Sequence, residues 1–302
     1  MPNKKFYRRG VSLVGAAAVL SSAAAPSVLT TADQLEDRLN SSYMYRFASF
    51  IGWGFLKSFF ENRIKKSIMS ENCKKIKEYF SKCETKTVAE KEVLPHVFRG
   101  EPYKEIAHEV LPGKKAGFRL LKSNGQPEKI HYFLSDTEGD VYKGFYLYNW
   151  QDKYEDNVKL FSSMQNFEFM VKFLESFKKL GLELTEHSSG KPEFNFFGQE
   201  KEPTVNFRGV KTEIDRIVFD FSTENGPNLT ISGRPAGQYG TPIEYSLKGG
   251  ISEKKVTIKE MQALLDSIIK KIEEDQYILN GKINKANTEL NINTELNINA
   301  LE

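Results

Sequence analysis

Ile130-His-Tyr-Phe-Leu134, Ser135-Asp-Thr-Glu-Gly-Asp140 and Val141-Tyr-Lys-Gly-Phe-Tyr-Leu-Tyr-Asn-Trp150 follow one another without interruption. The outer two runs are rich in aromatic and β-branched residues, and the middle one is turn-forming, so the stretch reads as a β-hairpin. A helix follows, capped at Ser162 or Ser163 and running to Leu180. Its apolar positions Phe167, Met170, Val171, Leu174 and Phe177 recur at three and four, and Gly181 sits where a helix stop is expected. Beyond it, Phe194 to Phe197, Thr204 to Val210, Arg216 to Phe221, Asn228 to Ser232 and Ile243 to Leu247 read as short strands. Gly-, Pro- and Asn-rich turns separate them. Thr257 and Glu260 form a capping box for a last helix, which carries Met261, Leu264, Leu265, Ile268, Ile269 and Ile272 on one face. The order hairpin, helix, antiparallel strands, helix predicts an α+β domain over residues 96–281, because a parallel α/β sheet would alternate throughout.

Residues 33–95 read as a helical region. No proline occurs between Pro26 and Pro95, and Glu92-Val-Leu-Pro95 ends it. Residues 282–302 read as a disordered tail. There Asn-Thr-Glu-Leu-Asn-Ile occurs twice, at 287–292 and 293–298, too few copies for a solenoid. The alternative for this repeat is an edge strand that pairs with a partner.

Residues 1–32 read as a signal peptide. Lys4, Lys5, Arg8 and Arg9 precede an uncharged run from Val11 to Ala25, and small residues follow to Ala32. Cleavage is expected after Ala32, with Ala23 as the alternative. The run is too short and too diluted to anchor the chain. The paired arginines leave both the general secretory and the twin-arginine routes open. The reading is therefore a bacterial-type protein secreted or held in the cell envelope, outside the cytoplasm.

The formal net charge of +3 is small and spread out, and no basic block with interleaved aromatics occurs, so no nucleic-acid partner is expected. Catalytic motifs are thin. His108-Glu109 lacks a second His four residues on, and no Gly-x-Ser-x-Gly elbow or phosphate loop occurs. No metal and no cofactor is indicated. Asp136, Glu138 and Asp140 do not follow a calcium-loop order. Lys255-Val-Thr-Ile-Lys-Glu-Met261 resembles the strand-to-helix entry of the second domain of the bacterial superantigen toxins over seven residues. The Asp and Arg pattern of that family does not follow, and the capping box accounts for most of the likeness.

Two stretches are candidate contact surfaces. Tyr142, Tyr146, Tyr148 and Trp150 fall on one side of the second hairpin strand, where they form either a core face or a platform for a glycan or an extended peptide. Tyr43 to Phe60 holds Phe47, Phe50, Trp53, Phe55 and Phe59. Wound as one helix it is apolar around most of its circumference, with Arg46, Lys57 and Glu61 within about 60° of one another. Such a helix is covered by the domain, by a membrane interface or by an envelope protein. Gly52 and Gly54 mark a kink. Cys73 and Cys83 either form a disulfide across a bend or remain thiols on a helix, because ten residues of helical rise hold them about 15 Å apart. The expected function is non-enzymatic binding outside the cytoplasm. A membrane-associated protein working through residues 43–60 and a cell-envelope hydrolase are the alternatives.

Overall fold

A strand-forming Thr-Lys-Thr ends the helical zone sooner than the proline at 95 predicts, and the chain then enters two antiparallel-dominated sheets. The structure is a computed structural model that describes residues 31–87, 102–121, 129–136, 143–198, 202–221, 226–238, 240–250 and 252–276. Residues 1–30, Tyr142, the acidic turn beyond Asp136 and the repeated hexamer lie outside the described residues.

Three helices come first: α1 (Thr31–Ser41), α2 (Tyr43–Phe50) and α3 (Gly54–Ser81). A five-stranded antiparallel meander follows, made of β1 (Thr85–Thr87), β2 (Pro102–Leu111), β3 (Lys114–Leu121), β4 (Lys129–Asp136) and β5 (Lys143–Tyr148). The predicted hairpin is the β4–β5 pair, with His131 opposite Tyr146. The β2–β3 hairpin turns at Pro112-Gly113, where Gly113 has φ of 76° that an L side chain rarely adopts.

Helix α4 (Tyr154–Lys179) then leads into the second sheet. Its strands are β6 (Thr185–Glu186), β7 (Pro192–Asn195), β8 (Thr204–Phe207), β9 (Val210–Asp220), β10 (Asn228–Pro235), β11 (Ile243–Ser246) and β12 (Glu253–Lys255). They run in the order β12-β11-β10-β9-β7-β6, β8 pairs with β9, and only β12 lies parallel to its neighbour. A last helix, α5, covers residues 258–276. Its capping box forms as expected. Thr257 N donates to Glu260 Oε2 at 2.9 Å, and Glu260 N donates to Thr257 Oγ1 at 3.2 Å. The chain is α+β.

Helix α4 begins eight residues before Ser162. Neither Ser162 nor Ser163 caps it, and Ser163 is buried in mid-helix. The N-cap is Lys153, which makes no side-chain cap bond. Glu155 and Asp156 in the first turn suit the positive end of the helix dipole instead. The stop is as predicted, with Gly181 at φ 77° just past the C-cap Leu180.

Helix α4 joins the two sheets. Phe167 packs edge-on against Phe118 and Tyr132 of the first sheet and against Phe221 at the end of β9. Tyr132 Oη donates to the Phe221 carbonyl at 2.6 Å, tying the sheets directly. Phe177 meets Phe194 of the second sheet. The C-terminal half of α3 enters the same core through Ile76 and Phe80. Pro95, the expected end of the helical region, lies outside the described residues.

The disulfide is not formed. Cys73 lies within α3 and Cys83 two residues past its end, and the helix from Cys73 to Ser81 alone rises about 12 Å. That exceeds the roughly 4.4–6.8 Å a bridge spans. Asn157 Nδ2 donates to Cys73 Sγ at 3.3 Å, and Cys83 Sγ donates to the Tyr79 carbonyl at 3.8 Å.

Candidate functional site

The aromatic segment at 43–60 is two helices rather than one. Ser42 caps α2 by accepting from Tyr45 N at 3.3 Å. The chain breaks at Ile51 to Trp53, and Gly52 takes the positive φ of 72° that the bend needs. Helix α3 starts afresh at Gly54, so Arg46 and Lys57 do not share a helix face as a single helix implies.

The elbow between α2 and α3 is bare. Phe50 is 89% exposed, Phe55 83% and Trp53 59%, and Tyr43, Met44, Phe47 and Phe59 are exposed as well. Burial of this segment against the domain, which its apolar girth predicts, does not occur. Ala48 is the one fully buried residue of α2. Residues 54–67 contain no buried side chain, and burial along α3 begins at Ile68. From Phe55 to Ile68 the helix rises about 20 Å, so the elbow stands well clear of the core.

The stem that carries it is firmly held. Asn72 Nδ2 donates to Asn157 Oδ1 of α4 at 2.9 Å in a buried contact. Arg38 of α1 clamps Glu71 with two hydrogen bonds, at 2.9 and 2.7 Å. Lys75 lies over the Phe161 ring. Lys57 covers the Tyr45 ring within the elbow itself.

The second candidate lies on the outer side of the first sheet. Strand register sets Glu105, Arg119, His131 and Tyr146 in one row across β2 to β5. Arg119 Nε donates to Glu105 Oε2 at 2.6 Å, and Lys86 Nζ reaches Glu105 Oε1 at 3.0 Å. The guanidinium lies between the Tyr103 ring at 5.0 Å and the Phe133 ring at 4.4 Å. Burial pushes the Glu105 carboxyl up, but Arg119 and Lys86 outweigh it and hold it below the usual carboxylate range. His131 stacks flat on Tyr146, with ring centres 4.0 Å apart. Burial first and Arg119 second push its imidazole down to about 3, so it stays neutral and accepts a proton poorly near neutrality.

Of the predicted row on β5, Tyr146 is half-buried against His131, and Tyr148 is exposed with Lys129 over its ring. Tyr146 and Tyr148 stack at 6.2 Å. Trp150 does not belong to the row. The strand ends at Tyr148, Asn149 turns the chain with φ of 52°, and Trp150 is fully buried in the main core. The structure thus pairs two of the four predicted residues and adds Glu105, Arg119 and His131. The Pro112-Gly113 turn between two strand-length runs is the signal that places β2 and β3 beside them.

Among the described residues, no group of three His, Cys, Asp or Glu side chains could hold a metal ion, and no helix is long and apolar enough to cross a membrane. Comparison of the chain with protein-family models, curated proteins and solved structures finds no match in any of the three.

Proposed function

We propose that this chain is an exported interaction protein that attaches to a lipid surface through the α2–α3 elbow. The observation that carries the reading is the exposure of Phe50, Trp53 and Phe55 at the tip of a helix whose far half is packed into the core. Scattered single apolar side chains on a surface need no explanation, but seven large ones on one short bend do. Covering one such side chain is worth roughly 1.5–3 kcal/mol. The rings of Trp53, Tyr43 and Tyr45 have flat apolar bodies and polar edges, which suit the boundary between headgroups and acyl chains. No helix among the described residues spans a bilayer, which is consistent with a helix bend resting at the surface.

The processed chain, residues 33–302, is expected to co-sediment with liposomes at low salt. Replacing Trp53 and Phe55 together by Ser is expected to weaken that binding about a hundred-fold, from roughly 3 kcal/mol of lost apolar transfer. Failure of the unaltered chain to sediment with any liposome at low salt would sink the reading.

A second contact is favoured by the stacked Tyr146 and Tyr148 under Lys129. Two flat rings and a cation offer a small platform for a sugar ring or an extended peptide.

A further inference from the structure

The elbow is not only apolar. Helix α3 carries seven basic and three acidic side chains, a surplus of four on one element of a chain whose whole net charge is +3. The three carboxylates are already engaged. Glu61 pairs with Lys65 at 2.8 Å, Glu71 with Arg38 at 2.7 Å, and Glu78 lies 3.9 Å from Lys74. Among the described residues, no carboxylate forms an ion pair with Arg63, Lys66 or Lys77.

Those three cations are exposed and lie in line with the aromatic tip. At 100° per residue, Phe55, Phe59, Arg63, Lys66 and Lys77 fall within about 80° of one another. Ile68, where burial on α3 begins, falls on the other side of the helix. One exposed stripe therefore runs from two bare phenylalanines to Arg63 and Lys66, both within about 16 Å of Phe55, and farther along α3 the half-buried Cys73 packs against the core on this side. Long basic side chains beside an apolar insertion reach up to the headgroup layer while their stems cover apolar surface.

Resting on the lipid reading of the elbow, we infer that the partner is a membrane rich in anionic phospholipid, with Arg63 and Lys66 holding the phosphate headgroups beside the inserted Phe55. A neutral bilayer satisfies the rings and leaves the cations without a counter-charge. A basic side chain near an anionic leaflet gains about 1 kcal/mol. Two of them set an anionic preference of about thirty-fold.

The test compares residues 33–302 on vesicles of phosphatidylcholine alone and on equimolar phosphatidylcholine and phosphatidylglycerol. Wild type is expected to bind the anionic vesicles about thirty-fold more tightly, and about 1 M salt, with a screening length of roughly 3 Å, is expected to erase the difference. R63Q/K66Q is expected to lose the preference while keeping its binding to phosphatidylcholine, since both positions are exposed and outside the core. Equal binding of wild type to the two vesicles, abolished by Trp53→Ser with Phe55→Ser, overturns this inference and leaves the lipid reading standing. Binding to neither vesicle, including a chain that self-associates through the elbow instead, overturns both.

Discussion

Phe167→Ala lowers the stability of the folded chain by about 4 kcal/mol, the range for truncating a fully buried phenylalanine. Phe167 is 1% exposed, at the point where α4 meets Phe118 and Tyr132 on one side and Phe221 on the other. The cavity left there opens between both sheets, and neither can close it without breaking strand pairing. Against a total of roughly 5–15 kcal/mol, that loss moves the urea midpoint down by roughly 1–2 M. The same chemical change at Phe55, 83% exposed, is expected to move stability by less than about 0.5 kcal/mol. A small effect at Phe167, or equal effects at the two positions, would contradict the placement of α4 and of the elbow.

Glu105→Ala is expected to cost a comparable amount, about 3–5 kcal/mol, for a different reason. Its carboxylate lies 2.6 Å from the Nε of Arg119, whose side chain is 5% exposed between two aromatic rings. Removing it takes from a buried guanidinium the carboxylate at 2.6 Å that helps offset its loss of water. The double change Glu105→Leu with Arg119→Met removes both charges and fills the space with apolar atoms. It is expected to restore most of the loss, because a buried pair often contributes little net stability even when breaking it is expensive. Denaturant unfolding of the two variants decides this. A Glu105→Ala chain as stable as wild type would show that the row across the first sheet holds nothing in place.

The parts of the fold legible in the sequence are those governed by local rules. The hairpin at 130–150, the Gly181 stop, the Thr257/Glu260 box and the strands at 228–232 and 243–247 follow from turn residues, capping and periodicity, whereas the expected strand at 204–210 is split by the Arg208-Gly209 turn between β8 and β9. The missed parts depend on contacts distant in sequence. Helix α4 starts at Tyr154 without a capping side chain, and Ser163 is buried in mid-helix by the core, so the serines point to the wrong start. Trp150 leaves its row because Asn149 takes a left-handed conformation that strict alternation does not anticipate. Thr85–Thr87 joins a sheet through pairing with Pro102–Lys104, which composition alone does not show. The row of Glu105, Arg119, His131 and Tyr146 exists only through register across four strands.

The elbow is the instructive case for function. Its aromatic content and its glycine break are legible, and the expectation that such a segment packs onto its own domain is sound on average. It fails here because the buried stripe of α3 begins only at Ile68, and α1 and α4 hold the helix from that point on. The rings are carried out on a rigid stem beyond the reach of the core.

The chain has two tryptophans, and they differ sharply: Trp53 is 59% exposed at the elbow and Trp150 is fully buried in the core. Emission quenching by phospholipid brominated on its acyl chains acts at short range, so it reads the position of Trp53 against an internal control. On anionic vesicles emission is expected to shift to the blue and to be quenched by the brominated lipid, and Trp53→Phe is expected to remove the quenchable part and leave the Trp150 signal. Emission that stays unshifted, is untouched by brominated lipid and remains open to an aqueous quencher would contradict attachment through the elbow.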